Sequence, residues 1–208
     1  TDWTQASKQV MNGEGSYGNG AAMRIAPVAL LYHHDKEKML EVAKASSKLT
    51  HTHPLGIEGA IIQAAALRFA ILTSPTDFDP AEFLSEIKQV ITQEVYAQKI
   101  NSIHQLLEEP IDPVTIRERL GCGGEAFNSV PTAIYCFLTD PTDFISSVST
   151  AVSLGGDTDT IASMTGALVG ALTGKSALPE AWLEKLENRE RIERVAQSLF
   201  FTLSLIHI

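Results

Sequence analysis

The sequence predicts an all-α fold, and three observations carry that reading. Apolar residues recur at helical spacing through almost the whole chain, strand-like alternation is scarce, and β-branched runs are short. The 208 residues are 44% hydrophobic and 20% charged, the composition of an ordinary globular protein. A chain of this length buries roughly 70% of its unfolded surface and needs no disulfide staples.

Taken in order, residues 1–11 read as a short helix before a glycine-rich loop, Asn12 to Gly20. An apolar helix is predicted from Ala21 to about Tyr32, kinked by Pro27 inside it. Asp35 is placed to cap a helix through Met39, Leu40, Val42 and Ala43. His51-Thr52-His53-Pro54 interrupts the pattern, and Leu55 to Leu72 is apolar on most faces, as a central buried helix would be. Glu58, Gln63 and Arg68 within it argue against a membrane span. Asp79 as cap and Pro80 at the first helical position start a helix, with room for a break, that extends toward Leu107. Pro110 and Pro113 bound a loop before a short helix to Leu120. A second glycine loop, Gly121-Cys122-Gly123-Gly124, precedes the apolar run Val130–Leu138. Phe144–Leu154 reads as a helix stopped by Gly155-Gly156, and Asp157-Thr158-Asp159-Thr160 opens the next, rich in small residues. Two helices close the chain, near Pro179–Leu186 and Ile192–Leu199. With no internal repeat and no low-complexity linker, one domain is expected.

Charge and cysteine content narrow the function classes. Lys and Arg number 16 against 25 Asp and Glu, a formal net charge of -9, which argues against a broad basic face for nucleic-acid backbones. Cys122 and Cys136 sit outside any CxxC pattern and read as reduced thiols. No signal-peptide pattern and no membrane-length apolar run is read, so neither DNA nor a membrane is an expected partner.

Three features could carry chemistry. Gly155-Gly156-Asp157-Thr158-Asp159-Thr160 places two carboxylates and a hydroxyl at a helix start. Hard divalent cations favour clustered oxygen ligands, and Mg²⁺ takes one or two carboxylates plus water. The same residue types are good helix caps, and spacing alone leaves metal binding and capping both open. An aspartyl-phosphate nucleophile in this string would need a preceding strand, and an EF-hand would need a glycine and a glutamate that are missing. The second feature is Gly13-Glu14-Gly15-Ser16-Tyr17-Gly18-Asn19-Gly20 before an apolar helix. Its glycines let backbone N–H groups approach phosphate oxygens, Ser16 and Asn19 can hydrogen-bond a ribose or phosphate, and Tyr17 can stack. It matches neither a Walker A loop nor a Rossmann turn, and a simple helix connection has the same composition. Third, His51 and His53, two residues apart, do not share a helix face and lack a nearby third zinc ligand, while His51 could cover a ligand.

Four ordered strings together resemble the ADP-ribosylglycohydrolase family, most closely its eukaryotic members that act on ADP-ribosylserine. They are Gly15–Gly20 with Ala22-Met23-Arg24, Leu49-Thr50-His51, Ser129–Phe137, and Ser153–Thr160, spread over most of residues 11–199. The resemblance implies an orthogonal all-α bundle with two Mg²⁺ ions at the mouth of an ADP-ribose cleft. By position, Asp157, Asp159 and Thr160 would be metal ligands. Glu14, Gly15, Ser16, Tyr17, Gly18, Asn19 and Gly20 would cradle the diphosphate and ribose, and His51 would lie toward the adenosine. Gly124 falls where relatives carry an apolar residue under the adenine, and Met11 where they carry an aromatic one; both departures weaken adenine packing.

The implied activity is Mg²⁺-dependent hydrolysis of the O-glycosidic bond of ADP-ribose on serine and within poly(ADP-ribose). Its setting would be DNA-damage signalling in the nucleus, cytoplasm and mitochondrial matrix, by a monomer acting on ADP-ribosylated proteins. The family's catalytic Glu and its Thr-Asp-Asp string have no counterpart here, since Thr76-Asp77 and Thr139-Asp140 lack the paired aspartate. The expectation is therefore that residues 1–199 form the C-terminal part only of one such domain, starting at Thr1, with no catalytic residue of their own and little activity alone. Residues 200–208 are expected to be an apolar tail foreign to the family. The alternative is a non-catalytic ADP-ribose binder or a crystallin-like structural relative.

Overall fold

The computed structural model describes residues 3–108 and 112–206. Among them are α1 (Trp3–Lys8), α2 (Gly20–Met23), α3 (Ala26–Tyr32), α4 (Lys36–Ser47), α5 (Pro54–Leu72), α6 (Pro80–Lys88) and α7 (Glu94–Glu108). Then follow α8 (Pro113–Leu120), α9 (Ala126–Thr139), α10 (Phe144–Ser153), α11 (Thr158–Thr173), a 3₁₀ turn (Lys175–Ala177), α12 (Glu180–Leu183) and α13 (Arg189–Ile206). The described residues contain no strand, only an isolated antiparallel bridge between Gly18 and Glu125. Pro110, read as a loop boundary, lies outside the described residues.

Aspartate caps set many of the helix starts. Asp35 accepts from the Lys38 N–H at 2.9 Å, Asp79 from Ala81 at 2.8 Å, Asp112 from Val114 at 2.8 Å and Asp143 from Ser146 at 2.9 Å. Each satisfies a backbone donor that a helix start otherwise leaves open, a gain of about 1 kcal/mol. At α5 the cap is His53, whose Nδ1 accepts from the Leu55 N–H at 3.1 Å ahead of Pro54. That ties His53 Nδ1 to the backbone at the start of α5.

Two predicted helices are divided. The run from Ala21 to Tyr32 is not one kinked helix. It is α2 and α3, separated at Arg24-Ile25. Pro27 cannot donate to the carbonyl of residue 23, and it sits in the first turn of α3, where the missing N–H costs nothing. The run from Pro80 to Leu107 breaks at residues 89–93 because a buried carboxylate starts the second half. Glu58 of α5, 6% exposed, accepts from the N–H groups of Thr92 (2.9 Å) and Gln93 (2.8 Å) and from the Thr92 hydroxyl. We expect Glu58→Ala to lower stability by about 3 kcal/mol in urea unfolding, since it strands buried donors, and Glu58→Gln to lose about 1 kcal/mol.

The core is built around α5, which packs against α2, α3, α4, α6, α9 and α11. It is long and apolar enough to cross a membrane by length and composition, yet 61% of that span is buried inside the bundle. Small residues permit the close approach. A Cβ added at Gly59 would lie 2.6 Å from Tyr96 Oη and 2.8 Å from Ala126 Cβ, so α5, α7 and α9 meet where no side chain fits. The last helix is longer than predicted: α13 starts at Arg189 and runs on through residues 200–206, so the expected tail continues a helix. Arg189 pairs with Glu180 (2.8 Å) and Glu193 with Lys175 (2.9 Å) to fix its start.

Candidate functional site

The two glycine loops are zipped together by backbone. Asn19 N–H donates to the Gly124 carbonyl at 2.9 Å, and Ala126 N–H donates to the Tyr17 carbonyl at 2.9 Å. The first loop also nests on the start of α5. Gly15 has a φ of +78°, and a Cβ there would collide with Thr52 Oγ1 and the His53 nitrogen. A Cβ on Gly56, in the first turn of α5, would lie 2.6 Å from the Ser16 carbonyl oxygen. Glycine at both positions is what lets the loop lie flat on the helix.

The α11 start joins the same place. Asp157 N–H donates to the Cys122 carbonyl at 2.7 Å, holding the second loop, and Asn19 Nδ2 donates to Asp157 Oδ2 at 2.6 Å. Gly124 is exposed, and its open face looks toward Asp157 Oδ2, 3.5 Å from where a Cβ would stand. Asp157 occupies the N-cap position of α11 but makes no cap hydrogen bond. Among the aspartates at N-cap positions, it alone does not cap. Its carboxylate is turned instead to Asn19. Asp159 is exposed in the first turn of α11, and Thr160 beside it is 6% exposed.

The remaining predicted residues sort by contact. Ser16 Oγ accepts from the Gly18 N–H at 3.2 Å, so this hydroxyl shapes the loop. Tyr17 packs edge-on to His53 (5.5 Å between centroids) and against Phe127 (6.1 Å). His51 lays its imidazole edge over Gly18 and Gly20. Burial, and secondarily the Arg24 guanidinium, hold His51 below its ordinary pKa. Glu14 is exposed on the turn ahead of the loop. Met11 is exposed at a positive φ of 54°.

Sequence reasoning missed the strut beneath the second loop. Lys99 Nζ donates to the Leu120 carbonyl at 2.6 Å and to Asn128 Oδ1, and lies 5.4 Å from the Phe127 ring centroid. Asn128 Nδ2 in turn donates to Glu125 Oε2 at 3.0 Å, and Thr132 Oγ1 donates to the Gly121 carbonyl at 2.5 Å. Burial pushes the Lys99 ammonium down, opposed by Glu125 and Cys122. No local motif announces a lysine in mid-helix as the support of a carbonyl 21 residues on.

A family model described as ADP-ribosylglycohydrolase matches residues 1–204. The chain belongs to the ADP-ribosylglycohydrolase family. Among its relatives, ADP-ribosylhydrolase ARH3 of Bos taurus is 37% identical, with the match covering 95% of this chain and 61% of that protein. ADP-ribosylhydrolase ARH3 of Homo sapiens is 36% identical, again over 95% of this chain and 61% of the relative. A solved structure titled ADP-ribosylglycohydrolase-related protein complex superposes with a TM-score of 0.75 at 26% identity, covering 96% of this chain and 67% of that one. The chain thus spans about three fifths of the length of these curated relatives. A match running from residue 1 to 204 does not support the expected reading of the chain as a C-terminal part only, and it extends past residue 199.

The donor set at the start of α11 suits a hard divalent cation in part. Asp157 is free of the capping role, Asp159 is exposed, and the Thr160 hydroxyl follows them on the first turn. One or two carboxylates, a hydroxyl and water are what Mg²⁺ accepts. Among the described residues there is no group of three or more His, Cys, Asp or Glu side chains that could hold a metal ion.

Proposed function

We propose that this protein hydrolyses the O-glycosidic bond between ADP-ribose and serine, and between the units of poly(ADP-ribose), with Mg²⁺ held by Asp157, Asp159 and Thr160. The observation that carries the reading is the 2.6 Å hydrogen bond from Asn19 to Asp157, which makes one site of a phosphate-type glycine loop and a carboxylate pair. The relatives' own names, as hydrolases, do not favour the crystallin-like alternative.

The loop from Gly15 to Gly20 presents close-approach backbone for the diphosphate, next to the start of α5. Asn19 spends one amide hydrogen on positioning Asp157, which leaves its second N–H and its side-chain oxygen for a ligand. On the family resemblance, His51 would cover the adenosine side and Gly124 would leave room under the base. When bound, Mg²⁺ would fix ribose hydroxyls and stabilise charge developing as the glycosidic bond breaks. No residue of this chain is assigned as the general acid or base. The serine linkage, the action on poly(ADP-ribose), the part in DNA-damage signalling and the nuclear, cytoplasmic and mitochondrial setting rest on the family resemblance.

Isothermal titration of ADP-ribose, with and without Mg²⁺, tests the reading. Binding that strengthens at least about tenfold with Mg²⁺ is expected, because the ion and the ligand share a site. Binding indifferent to Mg²⁺ would remove the metal role, and no binding by the folded protein in either condition would remove the cradle. Release of ADP-ribose from a serine-modified peptide, against an arginine-modified control, then reads the linkage.

A further inference from the structure

We propose that Arg24, acting through Thr50, is a positioning residue that holds His51 as a neutral imidazole with its Nε2–H turned to the Gly18–Gly20 loop. The inference rests on the ADP-ribose reading for the ligand that this N–H meets, and on geometry alone for the tautomer.

Arg24 lies immediately after α2, with its guanidinium across the surface between two segments of the site. Nη1 donates to the Gly20 carbonyl at 3.1 Å, and Nη2 donates to Thr50 Oγ1 at 2.6 Å and, at 3.5 Å, to the Ser46 carbonyl. Thr50 Oγ1 lies 2.7 Å from His51 Nδ1. A guanidinium has only donors and stays charged, so the threonine oxygen must accept from it. That contact polarises the hydroxyl, whose own proton then has a short, cooperative path to His51 Nδ1. An Nδ1 that accepts leaves the ring proton on Nε2.

The surroundings leave that proton available. His51 Nε2 has no protein hydrogen-bond partner among the described residues. Its edge of the ring lies against backbone without side chains. A Cβ on Gly20 would stand 3.0 Å from Cε1 and 3.2 Å from Nε2, and one on Gly18 would stand 3.4 Å from Nε2. Gly56 of α5 lies behind the root of the side chain, with 3.4 Å from His51 Cβ to where its own Cβ would be. Gly18, Gly20 and Gly56 bring no charge, and Arg24 is the charged side chain whose field reaches the imidazole. Both burial and that field oppose a second ring proton. The result is a fixed donor for a phosphate or ribose oxygen. Because the same guanidinium holds the Gly20 carbonyl, the loop and the imidazole keep their register.

The test is ¹⁵N-histidine NMR of the whole chain across pH, without ligand, followed by ADP-ribose titration. In the wild type, His51 is expected to show an unprotonated Nδ1, a protonated Nε2 and a midpoint below the ordinary 6.5. Thr50→Val removes the hydroxyl and little else, and Arg24→Met removes the guanidinium. Both are expected to mix the tautomers and raise the midpoint, with ADP-ribose affinity about tenfold lower at neutral pH. Thr50→Ser, which keeps the hydroxyl, is expected to retain the wild-type pattern and affinity. A Thr50→Val protein that keeps the wild-type tautomer and midpoint overturns the proposal, whatever its affinity. Shifted tautomers in a protein whose wild type binds no ADP-ribose uphold the positioning and overturn the ADP-ribose reading instead.

Discussion

Asp157→Asn is expected to abolish Mg²⁺-dependent ADP-ribose binding while leaving the fold intact. The substitution separates the two things this carboxylate does. An asparagine at 157 still offers an oxygen to Asn19 Nδ2, so the 2.6 Å bond that brings the loop to α11 has a replacement. The backbone N–H that holds the Cys122 carbonyl at 2.7 Å is unchanged, and no cap hydrogen bond is lost because none is made. What disappears is the negative charge, and a neutral amide is a far weaker ligand for a hard dication than a carboxylate. Loss of a supporting residue around a metal already costs 10- to 100-fold, so loss of a ligand should cost more than about a hundredfold in Mg²⁺-dependent affinity. Thermal unfolding should move by less than about 2 °C. Asp157→Ala makes the contrast: it also leaves the buried Asn19 amide unpaired, adding about 1–3 kcal/mol of instability. Calorimetry beside circular-dichroism melts checks both. An Asp157→Asn protein with undiminished Mg²⁺-dependent binding would remove Asp157 from the metal site.

What was legible in the sequence was local. Asp35 and Asp79 announce their helices because cap and recipient lie within three residues, and the amides they satisfy are those the sequence places there. The division between α6 and α7 was only half legible, because the carboxylate that starts α7 comes from Glu58, 34 residues before Thr92. The break between α2 and α3 was misread as a kink, since Pro27 looks the same in mid-helix and in a first turn. The site followed the same rule. The Gly13–Gly20 loop and the Asp157–Thr160 string stood out singly, from residue types with known uses. Their assembly depends on Asn19 and Asp157, 138 residues apart. For that reason spacing left capping and metal binding undecided at Asp157. The structure removes capping there, because the side chain turns away from its own helix. It does the opposite for His53, whose Nδ1 caps α5.

Gly156→Ala is expected to cost far more stability than Gly155→Ala, which is its internal control. The two glycines are neighbours with nearly equal backbone angles, φ +74° at Gly155 and +76° at Gly156, so an alanine at either meets the same left-handed strain of about 1 kcal/mol. They differ in what a Cβ would touch. At Gly155 the nearest atom is Arg117 Nη1 at 3.8 Å, the end of a flexible side chain in ordinary contact. At Gly156 the methyl would overlap the Cys122 carbonyl oxygen and lie 2.7 Å from Cys122 Cβ. That carbonyl is the acceptor for Asp157 N–H, so the clash cannot be relieved without lengthening the 2.7 Å bond that joins the second loop to α11. The separation displaces Asp157 from Asn19 and Gly124, coupling the stability loss to the ligand site. Gly155→Ala should therefore lower stability by about 1 kcal/mol and keep ADP-ribose binding. Gly156→Ala should lose about 3 kcal/mol or more, a fall near 10 °C in melting temperature, and with it the binding. Equal melting temperatures for the two variants would show that the contact with Cys122 does not hold the loop, and that the positive φ alone accounts for glycine at both positions.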